Sequence, residues 1–159
     1  MIITGTGTRR VIRDEVLCHK ILDKTTGILA HLKPELVITG MAEGFDEILA
    51  RAAMRLGIPF KAYIPNKGYL AYYWEQNSQT GRNRLEIAQK ILARAEEVKY
   101  ICTSVYVGGM HSNFHRNIAM VNDADTVLAL VSSIPSPGTT HCINYALKSN
   151  KKVEMVYED

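Results

Sequence analysis

Cysteine is too scarce in this chain to build a disulfide framework. There are three, Cys18, Cys102 and Cys142. Their spacing matches no metal motif, and an odd count fits a reducing compartment. Long apolar runs are missing too, since none approaches the roughly 18–20 residues of a membrane span. That excludes a transmembrane helix and leaves no membrane partner to expect. No Walker pattern G-x-x-x-x-G-K-[ST] occurs, and "GTGTRR" at Gly5–Arg10 falls short of a full G-x-G-x-x-G. Charge of one sign is also in short supply. The net charge is +3, and the basic residues are scattered apart from Arg9-Arg10-Arg13 and Arg82-Arg84. Nucleic-acid domains carry a stronger, clustered excess, so the charge argues against nucleic acid as a partner. A solvated surface accounts for most of these cations, with the loop-borne Arg9 and Arg10 as exceptions. The N-terminal "MIITGTGTRR" reads as a strand and a loop rather than a leader. A cytoplasmic protein is expected.

What is present is an alternation of short apolar runs and helical patterns. The length of 159 residues suggests a single domain spanning 1–159. Ile2 to Thr4 forms a first strand, ended by a glycine loop. A helix from Asp14 to about Leu32 follows, closed by Pro34. "ELVITG" (Glu35–Gly40) shows no polar alternation in Leu36-Val37-Ile38, as in a strand buried on both faces. The spacing of Ile48, Leu49, Ala52, Ala53 and Leu56 predicts a helix from Phe45 to Leu56, capped by Gly57. "PFKAYIP" is a third strand. The aromatic stretch from Tyr69 to Trp74 reads as a surface excursion or short helix. Further helices are predicted over Arg84–Ala95, Asn113–Val121 and His141–Lys148, and further strands over Val98–Thr103, Asp125–Ser132 and "KVEMVYE". Strands alternating with helices predict an α/β fold, a Rossmann-like, doubly wound and mostly parallel sheet with helices on both faces. Ligands bind such sheets beyond the carboxyl ends of the strands, near the switch point.

Three loops at that edge combine glycine with polar residues: Thr4–Arg10, Thr39–Asp46 and Ser136–His141. Glycine lets backbone N–H groups approach a ligand. A helix N-terminus behind the loop adds partial positive charge. Thr6, Gly7, Thr8, Arg9, Gly40, Gly44, Gly138, Thr139 and Thr140 are therefore candidate ligand contacts, with Arg9 able to grip a phosphate through two N–H groups. Glu43 and Asp46 are the candidate acids. Asp46 sits where it would charge the first turn of its helix, which makes Glu43 the better candidate to face a ligand. His111 and His115 lack the further ligands a zinc site needs, so no metal is expected. Cys142 follows His141 directly, and adjacent helix residues point apart. The aromatic run reads as core or dimer surface, with stacking on a base as the less favoured alternative.

Several runs resemble the SLOG superfamily, the Rossmann-like group that includes DprA and the LOG phosphoribohydrolases. The runs are "ITGTGTRR", "GMAEGFDEILARAA", "RNIAMVNDADTVLALV" and "PGTTHCINYALKSNKKVEMV". The small stand-alone YpsA-like bacterial and phage members are the most similar. The resemblance adds Arg116 and Asn117 to the ligand contacts, and it implies a homo-oligomer. Two departures stand out. Thr8 replaces a histidine of the stand-alone members, and Cys142 takes the place of the glutamate that the LOG enzymes use. The resemblance therefore implies binding of a nucleotide or nucleotide-derived signal, of ADP-ribose or cyclic type. Such a protein would act as sensor or sequestering protein, in keeping with phage–bacteria conflict, and would need no cofactor. Two alternatives stay open: a nucleotide-cleaving hydrolase using Glu43 and Asp46, and a DprA-like binder of single-stranded DNA.

Overall fold

The computed structural model describes residues 1–103, 110–134 and 136–159. Six parallel strands form one sheet: β1 (Ile2–Gly7), β2 (Leu36–Thr39), β3 (Phe60–Ile64), β4 (Glu97–Tyr100), β5 (Thr126–Leu130) and β6 (Lys152–Val156). Their order is β4-β3-β2-β1-β5-β6. The chain winds outward from β1 to β4, then returns to the other side of β1 to add β5 and β6. The switch point therefore lies between β1 and β5, which pair from Ile3 with Thr126 to Gly7 with Leu130.

Among the described residues, five α-helices cover the sheet: α1 (Glu15–Leu32), α2 (Phe45–Leu56), α3 (Leu85–Leu92), α4 (Met110–Asp123) and α5 (Pro137–Lys148). The alternation of side chains along the strands sorts them into two layers. Ile3, Val37, Leu128 and Leu130 join Ile21, Leu29, Ile48 and Leu49 in the larger core, under α1 and α2. On the opposite face Val127 packs with Val121, Cys142 and Ala146. Ile38 and Tyr63 pack there with Met120. The helix boundaries follow local chemistry. The Asp14 carboxylate accepts the Leu17 N–H at 3.1 Å and starts α1, and Gly57, at φ 68°, ends α2.

Several boundaries differ from the sequence reading. β1 runs on to Gly7, through residues expected in a loop. The glycines there serve the packing of α2. A Cβ on Gly7 would lie 2.6 Å from Phe45 Cβ and 2.9 Å from Leu130 Cβ, and one on Gly5 would lie 2.8 Å from Leu49 Cδ2. Helix α4 starts before Asn113, so residues 110–115 are helical. Residues 104–109, between β4 and α4, lie outside the described residues. Helix α5 begins at Pro137, because Ser136 caps it and proline suits a first helical position. Gly138, Thr139 and Thr140 therefore form a helical first turn.

Gly7→Ala is expected to destabilise the fold by about 1–3 kcal/mol, the usual cost of overpacking. The clashing atoms are Cβ atoms tied to backbone, which cannot rotate away. Gly27, mid-helix in α1, has nothing within 4 Å of its missing Cβ. Alanine there should stabilise by about 0.5–1 kcal/mol. Urea titration of both variants checks the contrast.

Candidate anion-binding cleft

A cleft of about 310 Å³ opens at the switch point. The end of β1 and the segment after it contribute Thr6, Gly7, Thr8 and Arg9. Helix α4 contributes Arg116 and Asn117, and the first turn of α5 contributes Gly138 and Thr139. Asp46 closes the floor from the first turn of α2. The loops after β1, β2 and β5 thus meet at one place, as the parallel order requires.

The two arginines of the cleft are held differently. Arg116 is buried, at 5% exposure. One of its terminal N–H groups donates to the Gly40 carbonyl, and its Nε donates to Asn117 Oδ1 at 3.1 Å. The Asn117 amide in turn donates to the Gly138 carbonyl at 3.2 Å, tying α4 to the start of α5. Arg9 takes part in no ion pair among the described residues. Its guanidinium lies 4.3 Å above the Tyr73 ring centre, a cation–π arrangement. Burial works against its charge, but Tyr69, Tyr73 and Asp46 outweigh burial and raise its pKa above the ordinary value. Arg9 is therefore a fixed cation facing the cleft.

Tyr73 was not foreseen as a cleft residue, and its place depends on a latch. Trp74 is fully buried and donates its indole N–H to the Met41 carbonyl at 2.8 Å. The Arg84 N–H donates to the Trp74 carbonyl at 2.7 Å. These bonds fasten the π-helical turn Ala71–Gln76 against the turn before α2. Tyr69 is fully buried as well and stacks at a tilt on Tyr73, 4.7 Å between ring centres. The excursion is thus largely core, with Tyr73 as its cleft-facing edge.

The acids exchange the places expected of them. Glu43 does not line the cleft. Its carboxylate accepts from Arg84 Nη1 at 2.7 Å, from Ser78 Oγ at 2.7 Å and from the Gln79 N–H at 2.8 Å. Asp46 does line it. Burial pushes the Asp46 carboxyl above its ordinary range, against the pull of Arg116, the Ala42 N–H and Arg9. Arg84, read from sequence as a surface cation, is 9% exposed and also bridges to Glu47.

The remaining candidates serve the backbone. Gly40 is wedged between Asp46 and Arg116, each within 2.8 Å of where its Cβ would be. Gly44 takes φ 85°, and a Cβ there would sit 2.5 Å from the Thr8 carbonyl oxygen. Thr140 is exposed, outside the cleft lining. Arg116 pairs with neither Asp123 nor Asp125. Tyr63 Oη donates to Asp123, and the Ile2 N–H donates to Asp125. At the cleft mouth Phe114 lies flat on His141, 4.0 Å between ring centres. Cys142 is fully buried, with its thiol pushed up to about 12 by burial. A thiol in that state is no nucleophile near neutral pH.

No protein-family model matches the chain, and no curated protein does. Solved structures share its fold. DNA processing protein A (DprA) from Streptococcus pneumoniae matches with a TM-score of 0.63 at 13% identity, over 96% of this chain and 49% of that one. DNA processing protein A from Helicobacter pylori, studied for its single-stranded DNA binding mode, matches with a TM-score of 0.65 at 17% identity. There the match covers 98% of this chain and 64% of the other. The chain thus spans about half to two thirds of these neighbours. The expectation that nucleic acid is no partner is corrected by this finding, because a protein that shares this fold binds single-stranded DNA. A net charge averages over the surface, whereas Arg9, Arg10 and Arg116 gather at one cleft. Among the described residues no helix is long and apolar enough to cross a membrane.

Proposed function

We propose that the chain binds single-stranded DNA and seats one backbone phosphate in the switch-point cleft, between Arg9 and Arg116. The observation that carries this reading is Arg9, a cation in no ion pair among the described residues, facing a cleft at the N-terminus of α5. A helix N-terminus and a guanidinium together favour a phosphate. The likeness to DNA processing protein A supports nucleic acid over other phosphate carriers. Tyr73 and Phe114 give the cleft aromatic edges suited to base stacking.

A second reading keeps the cleft but changes the ligand to a free nucleotide or a nucleotide-derived signal. The cleft volume of about 310 Å³ favours it, since small-molecule sites begin at about that size. Fluorescence anisotropy with a labelled oligothymidylate, competed by ATP, cyclic nucleotides and ADP-ribose, separates the two. Single-stranded DNA binding should weaken with salt, with a log–log slope of about −0.7 per phosphate engaged. Salt-insensitive retention of one small nucleotide, without oligonucleotide binding, would establish the second reading instead.

A further inference from the structure

An acid has no evident place in the floor of an anion site, yet Asp46 is there. It is 6% exposed and lines the cleft. Its position is rigid. The backbone carbonyl of Asp46 accepts from Thr39 Oγ1 at 2.9 Å, and its Oδ2 accepts from the Ala42 N–H at 3.3 Å. Gly40 makes the room it occupies, because Asp46 Oδ2 stands 2.7 Å from where a Gly40 Cβ would be.

The groups around it are known. Arg9 faces it from the segment after β1 and Arg116 from α4. Tyr69 and Tyr73 lie beyond Arg9, and Cys142 faces it from α5 as a neutral thiol. Glu43 and Glu47, its neighbours in sequence, are turned to Arg84. Two guanidiniums therefore face one carboxyl. A phosphate entering this cleft would meet a like charge if Asp46 were ionised, and the carboxyl would repel it. A neutral carboxylic acid instead offers an O–H donor to a phosphate oxygen.

We propose that Asp46 binds the phosphate as the neutral acid, so that each binding event takes a proton from solvent onto its carboxyl. This rests on the proposed anion-binding cleft. It adds a pH dependence and a contact that neither the fold nor the resemblance supplies. The proton balance is simple: an ionised carboxyl gains one proton from the buffer, and no other bond changes.

The test measures proton uptake by titration calorimetry in two buffers of different ionisation enthalpy, with the full chain. The probes are an oligothymidylate and sulfate, chosen because neither titrates across the range from about pH 5 to 8 in which histidine also changes charge. Uptake approaching one proton is expected, with affinity falling by up to about tenfold per pH unit as pH rises. Asp46→Asn should take up no proton and bind with a flat pH profile. His141→Gln should keep the wild-type slope. Zero uptake by the wild type overturns the inference, and that arm needs no variant to fold. A slope that persists in Asp46→Asn, or vanishes in His141→Gln, overturns it as well. Proton-linked sulfate binding without oligothymidylate binding upholds the inference and sinks the DNA reading. Failure of both probes to bind overturns both.

Discussion

Arg84→Met is expected to lower stability by about 3–5 kcal/mol, the usual cost of removing one partner from a buried ionic group. Arg84 Nη1 reaches Glu43 at 2.7 Å, and Nη2 reaches Glu47 at 2.7 Å. The Glu47 side chain is fully buried and Glu43 is 2% exposed. Without the guanidinium, Glu43 keeps its bonds from Ser78 and Gln79, and Glu47 keeps only the half-exposed Arg51 at 2.8 Å. A drop of about 10 °C in melting temperature corresponds to the low end of that range for a chain of this size. Adding Glu47→Leu should return part of the loss, because an apolar residue asks for no partner. A loss below about 1 kcal/mol would mean that water reaches the two carboxylates, and the cluster would then be peripheral. Ligand affinity should fall in parallel, since the Arg84 guanidinium also lies 5.1 Å from the centre of the Trp74 ring, in the turn that carries Tyr73.

Arg9→Ala should do the opposite: a large loss of binding with little change in stability. A charge-assisted hydrogen bond contributes about 1.5–3 kcal/mol, so affinity for single-stranded DNA should drop about 10- to 100-fold. The slope of log affinity against log salt should shrink by about 0.7, the share of one phosphate contact. Stability should move by less than about 1 kcal/mol, the worth of a part-exposed cation–π contact such as that with Tyr73. Anisotropy at two salt concentrations and a thermal melt are enough to see this. A melt that collapses while affinity holds would remove Arg9 from the ligand and make it a structural clamp on Tyr73.

These two arginines show what was legible in the sequence. The parallel α/β plan was readable, because strands such as Leu36–Thr39 are apolar on both faces and helices such as α2 carry an apolar stripe. That plan placed Arg9 at the right sheet edge. Arg84 was misread as solvent-facing, because its partners lie 41 and 37 positions earlier, in a turn and helix that no local pattern links to it. Glycine misled for a related reason. Gly-Thr-Gly-Thr has the composition of a turn, and only the approach of Phe45 shows why a strand needs it. Glu43 and Asp46 were ranked in reverse, since Gly44 at φ 85° redirects the chain between them. Tyr73 stood out only as one member of the aromatic run from Tyr69 to Trp74. Its place depends on Trp74 reaching Met41, a contact across 33 positions.

Cys142 gives the molecule a built-in clock. Its thiol sits at zero exposure beneath α5, while Cys18 and Cys102 are partly open to solvent. Alkylating reagents reach the latter two from the native state, and they reach Cys142 only when α5 lifts from the sheet. With Cys18 and Cys102 blocked beforehand, the labelling rate of Cys142 counts those openings one by one. Because α5 supplies one wall of the cleft, the same count, taken with and without ligand, reports occupancy of the site without a dye or a tag.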